Sequence, residues 1–292
     1  LVAGNDYTIT ETVPPDGYKI VADAFTVHMG DDGRLTFKDS TNNVTTTETT
    51  DSSNNTVYTS ALGTDGYIKI TSSVDTAVSP YVYTNKVEIK DVQNSFTIEK
   101  NKTTSGTTVT YLKDAHFTLS AVGESNHLAG GTSTSKVLDV TTESAPVLTK
   151  GLMIASINTT TPEHVYKLSE TTPAPGYISC TDLYLIMDAK GILYYSLTGT
   201  DNTWSREAAS VLASNNLTIT DKQNNVVLKN IDLVDNFKDD ATALTTATFK
   251  IKPTSSNDKF AGGSNTEINL PSDNTTYLTG KLISGVSYTV TE

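Results

Sequence analysis

Tyr166-Lys167-Leu168-Ser169-Glu170-Thr171-Thr172-Pro173-Ala174-Pro175-Gly176-Tyr177 carries the pattern from which the rest of the chain can be read. Successive side chains of a strand point to opposite faces, so Tyr166, Leu168 and Glu170 share one face and Lys167 and Ser169 the other. The same arrangement occurs at Tyr7-Thr8-Ile9-Thr10-Glu11 and again at Tyr288-Thr289-Val290-Thr291-Glu292. The first two copies share the continuation Glu-Thr-x-Pro-x-x-Gly-Tyr, ending at Gly17-Tyr18 and Gly176-Tyr177. Each then leads into a strand and a glycine-containing turn, Met29-Gly30-Asp31-Asp32-Gly33 and Met187-Asp188-Ala189-Lys190-Gly191. Turns of this composition join hairpin strands.

A second block follows each copy. Val87-Glu88-Ile89-Lys90-Asp91-Val92-Gln93-Asn94 matches Leu217-Thr218-Ile219-Thr220-Asp221-Lys222-Gln223-Asn224. Both run into a β-like segment ending in lysine, Phe96-Thr97-Ile98-Glu99-Lys100 and Val226-Val227-Leu228-Lys229. An Ala-x-Phe-x-aliphatic strand comes later, at Ala115–Leu119 and Ala247–Ile251. The lysines are 129 residues apart (229 − 100) and the aspartates 130 (221 − 91). The repeat is therefore one domain long, too long for a solenoid. Residues 1–93 are expected to be the C-terminal part of one domain, 94–224 a complete domain, and 225–292 the N-terminal part of a third. The Thr/Asn/Ser-rich stretch from Asp39 to Thr56 is expected to be a polar loop or insertion.

Composition agrees with an all-β chain. At 292 residues there is room for two or three cores, and 36% of the residues are apolar. Thr, Ser and Asn are abundant, 14 residues are Tyr, and long Ala/Leu/Glu/Lys runs are missing, a bias that favours strands and turns. A net charge of −12 without a basic cluster argues against nucleic acid as a partner and fits a soluble extracellular surface. With Cys180 as the one cysteine, no intrachain disulfide can form. No apolar run is long enough to span a membrane, and no signal peptide is present. A start at Leu1 rather than Met reads as a fragment whose targeting and anchoring signals lie elsewhere.

The chemistry comes from charges on the apolar side of strands. Leu217, Ile219 and Asp221 share a face, as do Phe96, Ile98 and Lys100, and Tyr166, Leu168 and Glu170. Val87, Ile89 and Asp91 repeat the first set, and Tyr7, Ile9 and Glu11 the third. Val227 and Lys229 fit less well, because Val226 and Leu228 make the opposite face apolar too. Buried charges must pair or be lost. If Lys100, Glu170 and Asp221 meet in one core, a neutral amine is a nucleophile and a protonated carboxyl can shuttle protons. Lys100 could then attack the Asp221 carbonyl with Glu170 as proton relay, water leaving and an amide cross-link remaining. Held proximity would supply the rate without a cofactor.

Tyr166-x-Leu168-x-Glu170 with Pro173 and Gly176-Tyr177 resembles the E-box of Cna B-type domains of Gram-positive adhesins and pilins. Lys100, the Ala115-x-Phe117-x-Leu119 strand and the closing Asp221 resemble the same family. The resemblance implies tandem Ig-like β-sandwiches, the outer two truncated, stacked into a stalk or pilus on the cell wall. It also implies a spontaneous Lys100–Asp221 isopeptide bond assisted by Glu170, with no other enzymatic activity and no cofactor. Many family members close with Asn, so Asp221 changes the leaving group from ammonia to water. Asn224 and Asn225 are nearby alternatives, though Asn224 lies on the opposite face in an unbroken strand. Glu11 and Glu292 are the catalytic equivalents in the outer segments, and Asp91 and Lys229 the cross-link equivalents; the first set is expected to lack its cross-linking lysine and the last its closing acid.

Plainer readings compete. Lys100, Glu170 and Asp221 could form a semi-buried salt-bridge cluster with no bond. A glycan- or matrix-binding sandwich without a cross-link is the alternative function, with Trp204 and the tyrosines as a carbohydrate surface and a host matrix protein or glycan as partner. His28, His116, His127 and His164 lack metal-ligand spacing. Gly30-Asp31-Asp32-Gly33 lacks the ligand pattern of a calcium loop and is expected to be a hairpin turn. Cys180 lacks a neighbouring base and reads as a structural thiol. There is no Gly-x-Ser-x-Gly elbow, so a hydrolase has little support, and the sequon at Asn158 follows from Thr/Asn richness.

Overall fold

Alternation of apolar and polar side chains turns this chain into strands, and it does so in three successive groups, each around its own apolar cluster. The computed structural model describes residues 1–20, 24–38, 45–52, 56–62, 66–75, 82–102, 110–140, 147–197, 210–212, 214–230, 247–271 and 273–292. Among these residues the chain is all-β, and no helix is long and apolar enough to cross a membrane.

The first group comprises β1 (Asp6–Ile9), β2 (Tyr18–Lys19), β3 (Phe25–Met29), β4 (Leu35–Phe37), β5 (Thr45–Thr50), β6 (Thr56–Leu62), β7 (Tyr67–Asp75), β8 (Val82–Lys90) and β9 (Val92–Gln93). Its sheets run β1-β3-β4 and β5-β6-β7-β8, and Phe25, Val27, Met29, Leu35, Ile68 and Ile70 form the core. The glycine turn Gly30–Gly33 joins β3 to β4 as an antiparallel hairpin, as its composition predicts. The expectation of a loop from Asp39 to Thr56 is corrected at Thr45–Thr50, which is β5, paired along its whole length with β6. Threonine is β-branched and suits a pleated surface, so low complexity did not mean an irregular backbone. Residues 39–44 and 53–55 of that stretch, and Trp204, lie outside the described residues.

The middle group holds β10 (Ser95–Lys102), β11 (Thr110–Tyr111), β12 (Ala115–Val122), β13 (Ser135–Val140), β14 (Val147–Lys150), β15 (Val165–Thr172), β16 (Leu183–Met187), β17 (Leu193–Ser196), β18 (Ser210–Leu212) and β19 (Asn216–Asp221). One sheet contains β11, β10, β14 and β19; the other runs β13-β12-β15-β16-β17-β18. Phe96, Ile98, Leu217 and Ile219 of the first sheet and Phe117, Leu119, Tyr166, Leu168 and Leu185 of the second belong to one core. Each such side chain, once fully buried, contributes about 1.5–3 kcal/mol. The first and last strands, β10 and β19, are parallel neighbours, with Ile98 opposite Leu217, Lys100 opposite Ile219 and Lys102 opposite Asp221. Parallel strands need a crossover, and here the crossover is the rest of the group.

The third group contains β20 (Val226–Lys229), β21 (Thr248–Pro253), β22 (Ile268–Pro271), β23 (Asp273–Tyr277) and β24 (Tyr288–Thr291), around Ile251, Phe260, Leu270 and Leu278. The tyrosine of the repeated motif does the same work in two groups. Tyr166 donates its hydroxyl to the His127 carbonyl (3.0 Å) and accepts from the Ile154 N–H (2.9 Å). Tyr288 donates to the Lys259 carbonyl (3.2 Å) and accepts from the Ile283 N–H (2.9 Å). Tyr166 is 0% exposed, so deleting its hydroxyl leaves buried backbone groups without a partner. Tyr166→Phe should therefore lower the stability of the middle group by about 1–3 kcal/mol, read from the denaturant dependence of amide exchange in β12 and β15. An unchanged dependence would contradict this role.

Candidate functional site

Between the two sheets of the middle group sits a lysine flanked by two acids. Lys100, on β10, follows Phe96 and Ile98 on the inward face, and Asp221 ends β19 on the same face as Leu217 and Ile219. Because Lys102 is the residue opposite Asp221, Lys100 reaches it as a diagonal neighbour along the parallel pair. Glu170 comes from the opposite sheet, on β15 with Tyr166 and Leu168. Lys100 Nζ lies 2.5 Å from Asp221 Oδ1 and 2.8 Å from Glu170 Oε1, and all three side chains are 0% exposed. Phe117, directly across from Glu170 on β12, presents its ring 5.1 Å from Nζ. The inward alternation expected from sequence is thus what brings the three groups together.

Their electrostatics are those of an overfull site. Two carboxylates and one ammonium leave one net negative charge in a space without water-exposed surface. Asp221 Oδ2 is buried with no hydrogen-bond partner, and Glu170 Oε1 makes no hydrogen bond and relies on the amine beside it. Burial pushes the Asp221 carboxyl up to about 6, Glu170 adds to the rise, and Lys100 opposes it. Glu170 Oε2 accepts the backbone N–H of Cys180 at 2.7 Å, which fixes the carboxyl head. Nothing in the sequence pattern singled out that N–H, because its contribution comes from the backbone and not from the thiol. The Cys180 thiol itself is pushed up to about 12 by burial, which makes it a poor nucleophile.

The equivalents in the outer groups are arranged differently. Asp91 sits between β8 and β9, and burial raises its carboxyl; its Oδ1 is buried without a hydrogen-bond partner. Glu11 is partly buried just beyond β1. Ile89, expected inward with Asp91, is 42% exposed: β8 is an edge strand, and its outer end leaves the core. In the third group Val226 and Leu228 pack on the core while Val227 is exposed, and the ladder to β23 slips before Lys229, so plain alternation fails there. Lys229 lies on β20, paired with β23, and Glu292 is exposed just beyond β24, which pairs with β21.

The four histidines each have a protein partner. His28 pairs with Asp6 (2.8 Å), His116 with Asp139 (2.7 Å), His127 with the Leu128 carbonyl (3.0 Å) and His164 with Asn126 (3.0 Å). Among the described residues no cluster of His, Cys, Asp and Glu could hold a metal ion. Comparison with known proteins yields no matching family model, no matching characterised protein and no matching solved structure. The chemistry of the site must therefore be argued from its own geometry.

That geometry makes the three groups interdependent. Removing the lysine alone strands two buried acids, whereas replacing both partners with apolar groups removes the desolvation cost. At pH 8, Lys100→Met should be less stable than Lys100→Met/Asp221→Leu by about 3–5 kcal/mol in urea unfolding. The folded-state pKa of Asp221 lies above the unfolded value, so stability from its neutral form is complete below pH about 4 and lost as pH rises through about 6. The gap between the two variants should accordingly narrow in acid. A gap independent of pH would mean that Asp221 carries no buried charge.

Proposed function

We propose that this chain is a structural segment of a bacterial surface adhesin or pilin of the Cna B type, built of tandem Ig-like domains. Its middle domain locks itself by an amide bond between Lys100 and Asp221. The observation that carries this reading is the Lys100 amine held 2.5 Å from one carboxyl and 2.8 Å from another, with all three side chains at 0% exposure.

The reaction balances within the triad. A site with one proton more than the fully charged state is neutral, and that proton lets the amine be unprotonated while both acids are protonated. Lys100 Nζ attacks Asp221 Cγ, forming the C–N bond, and Glu170 protonates the developing oxyanion and takes a proton from the nitrogen. One of the two hydroxyls on the tetrahedral carbon then takes a proton from Glu170 and leaves as water, its C–O bond breaking, while the other hydroxyl returns a proton to Glu170 as the amide carbonyl forms. The raised Asp221 carboxyl supports this, because a neutral acid and not a carboxylate has water as a leaving group. The short contacts supply proximity that would otherwise cost entropy in the transition state. The product replaces buried charges with one neutral amide.

The bond would also matter for stability and load. It spans 121 residues of chain, and closing a loop of about 100 residues stabilises by roughly 5 kcal/mol in the chain-entropy view. Since β10 opens the group and β19 closes it in parallel, tension along the chain shears that pair. A link from Lys100 to Asp221 carries the tension past everything between them. This suits a stalk outside the cell, where no disulfide is available to a chain with one cysteine.

Intact and peptide mass spectrometry checks the reading. The wild-type chain should be lighter by one water, mapped to a cross-linked peptide pair containing Lys100 and Asp221. Lys100→Ala should have its full mass, and Glu170→Ala should fold at lower stability and also keep its full mass. Asp221→Asn should lose ammonia in place of water. A wild-type chain of unmodified mass would overturn the cross-link.

A further inference from the structure

The repeated block that supplies Asp221 ends in Gln-Asn, and those two residues have no part in the triad. Gln93-Asn94 and Gln223-Asn224 instead stand where one group of strands gives way to the next. At the first junction the Asn94 N–H donates to the Gly17 carbonyl of the first group (2.9 Å), and the Asn94 carbonyl accepts the Gly151 N–H of the middle group (2.8 Å). Its side-chain amide donates to the Met153 carbonyl at 2.7 Å. At the second junction the Asn224 N–H donates to the Gly176 carbonyl (3.0 Å), and its carbonyl accepts the Gly280 N–H (2.8 Å). Again the side-chain amide donates to a carbonyl two residues beyond the glycine, that of Leu282, at 2.7 Å.

The packing matches as well. Gly17 and Gly176 have φ of +82° and +91°, and a Cβ on either would fall 2.8 Å from the Gly151 carbonyl oxygen or 2.2 Å from that of Gly280. Only glycine accommodates both the left-handed backbone and the close approach. Gly151 and Gly280, at φ of +60° and +66°, lie under the side-chain amides of Gln93 and Gln223, with 2.8 and 2.7 Å to a Cβ built there. Asn94 is 2% exposed with its amide satisfied, which is the mark of a built polar joint and not of a linker.

We infer that Gln-Asn, the Gly of the Gly-Tyr turn behind it and the Gly two residues before Met153 or Leu282 form a docking joint. Its partner is the next copy of the module in the same chain, and it fixes successive modules at one repeated angle. Domains joined by flexible linkers move by default, whereas here the connecting residue itself is hydrogen-bonded to both neighbours. At the first junction the contact extends further, because the Ile20 N–H donates to the Ala189 carbonyl at 2.9 Å in the turn after β16. The joint does not depend on the amide bond, so the two claims can fail separately.

Small-angle scattering of the full chain tests it. The wild type should fit a single elongated conformer, and Asn94→Ala/Asn224→Ala should require an ensemble of orientations. Exchange of the Gly151 and Gly280 amides should quicken by roughly tenfold, the factor that losing about one net hydrogen bond implies. Gln93→Ala/Gln223→Ala, which only trims side chains lying over the glycines, should move both readouts in the same direction. Water loss measured by mass on the same samples separates joint from cross-link, since it should be unaffected in all of them. A wild type that already scatters as a flexible ensemble, or variants that match the wild type in both readouts, would overturn the joint.

Discussion

A lysine amine and two carboxyls closed off from water keep their charges only at a desolvation cost, and the middle group of strands is organised around that conflict. Lys100 and Asp221 must come from neighbouring strands on one sheet and Glu170 from the sheet facing it. This requires the first and last strands to run side by side, so their pairing closes a loop that contains the rest of the group. The Phe117 ring and the Cys180 N–H complete the enclosure, one apolar and one polar. An ion cluster left in this state contributes little net stability, because desolvation offsets attraction. Conversion to an amide would relieve that cost, which is why the arrangement makes most sense as a reactant.

Much of this was legible in the chain because strands alternate strictly where both faces have distinct partners. Phe96-Ile98-Lys100, Tyr166-Leu168-Glu170 and Leu217-Ile219-Asp221 all point inward as their period demands. Where the environment is one-sided the rule weakens. Ile89 lies on an edge strand and is exposed, and Val227 precedes a slip in its ladder. Thr45–Thr50 forms a strand although no apolar residue alternates in it, since five β-branched threonines around Glu48 carry preference but no phase. The Cys180 N–H, Gly151 and Gly280 were hidden for another reason: they act through backbone, which side-chain patterns do not report.

The proposed amide bond and the proposed Gln-Asn joints would act at different levels of one object. The proposed bond would prevent a module from being pulled apart from within, and the joints would keep one module from swinging against the next. Both use the same short block of sequence, in which Asp221 faces inward and Asn224, three residues later, binds the neighbouring modules. The block recurs at Val87–Asn94 and Leu217–Asn224, and in both copies its closing Asn joins one group of strands to the next.

The most direct test of the central claim is the chemical state of the Lys100 nitrogen. In protein labelled with carbon-13 and nitrogen-15, Lys100 Nζ should resonate as a secondary amide, carry a single proton and couple to Asp221 Cγ. A nitrogen with the shift of a free lysine amine or ammonium, uncoupled to any carboxyl carbon, would contradict the account.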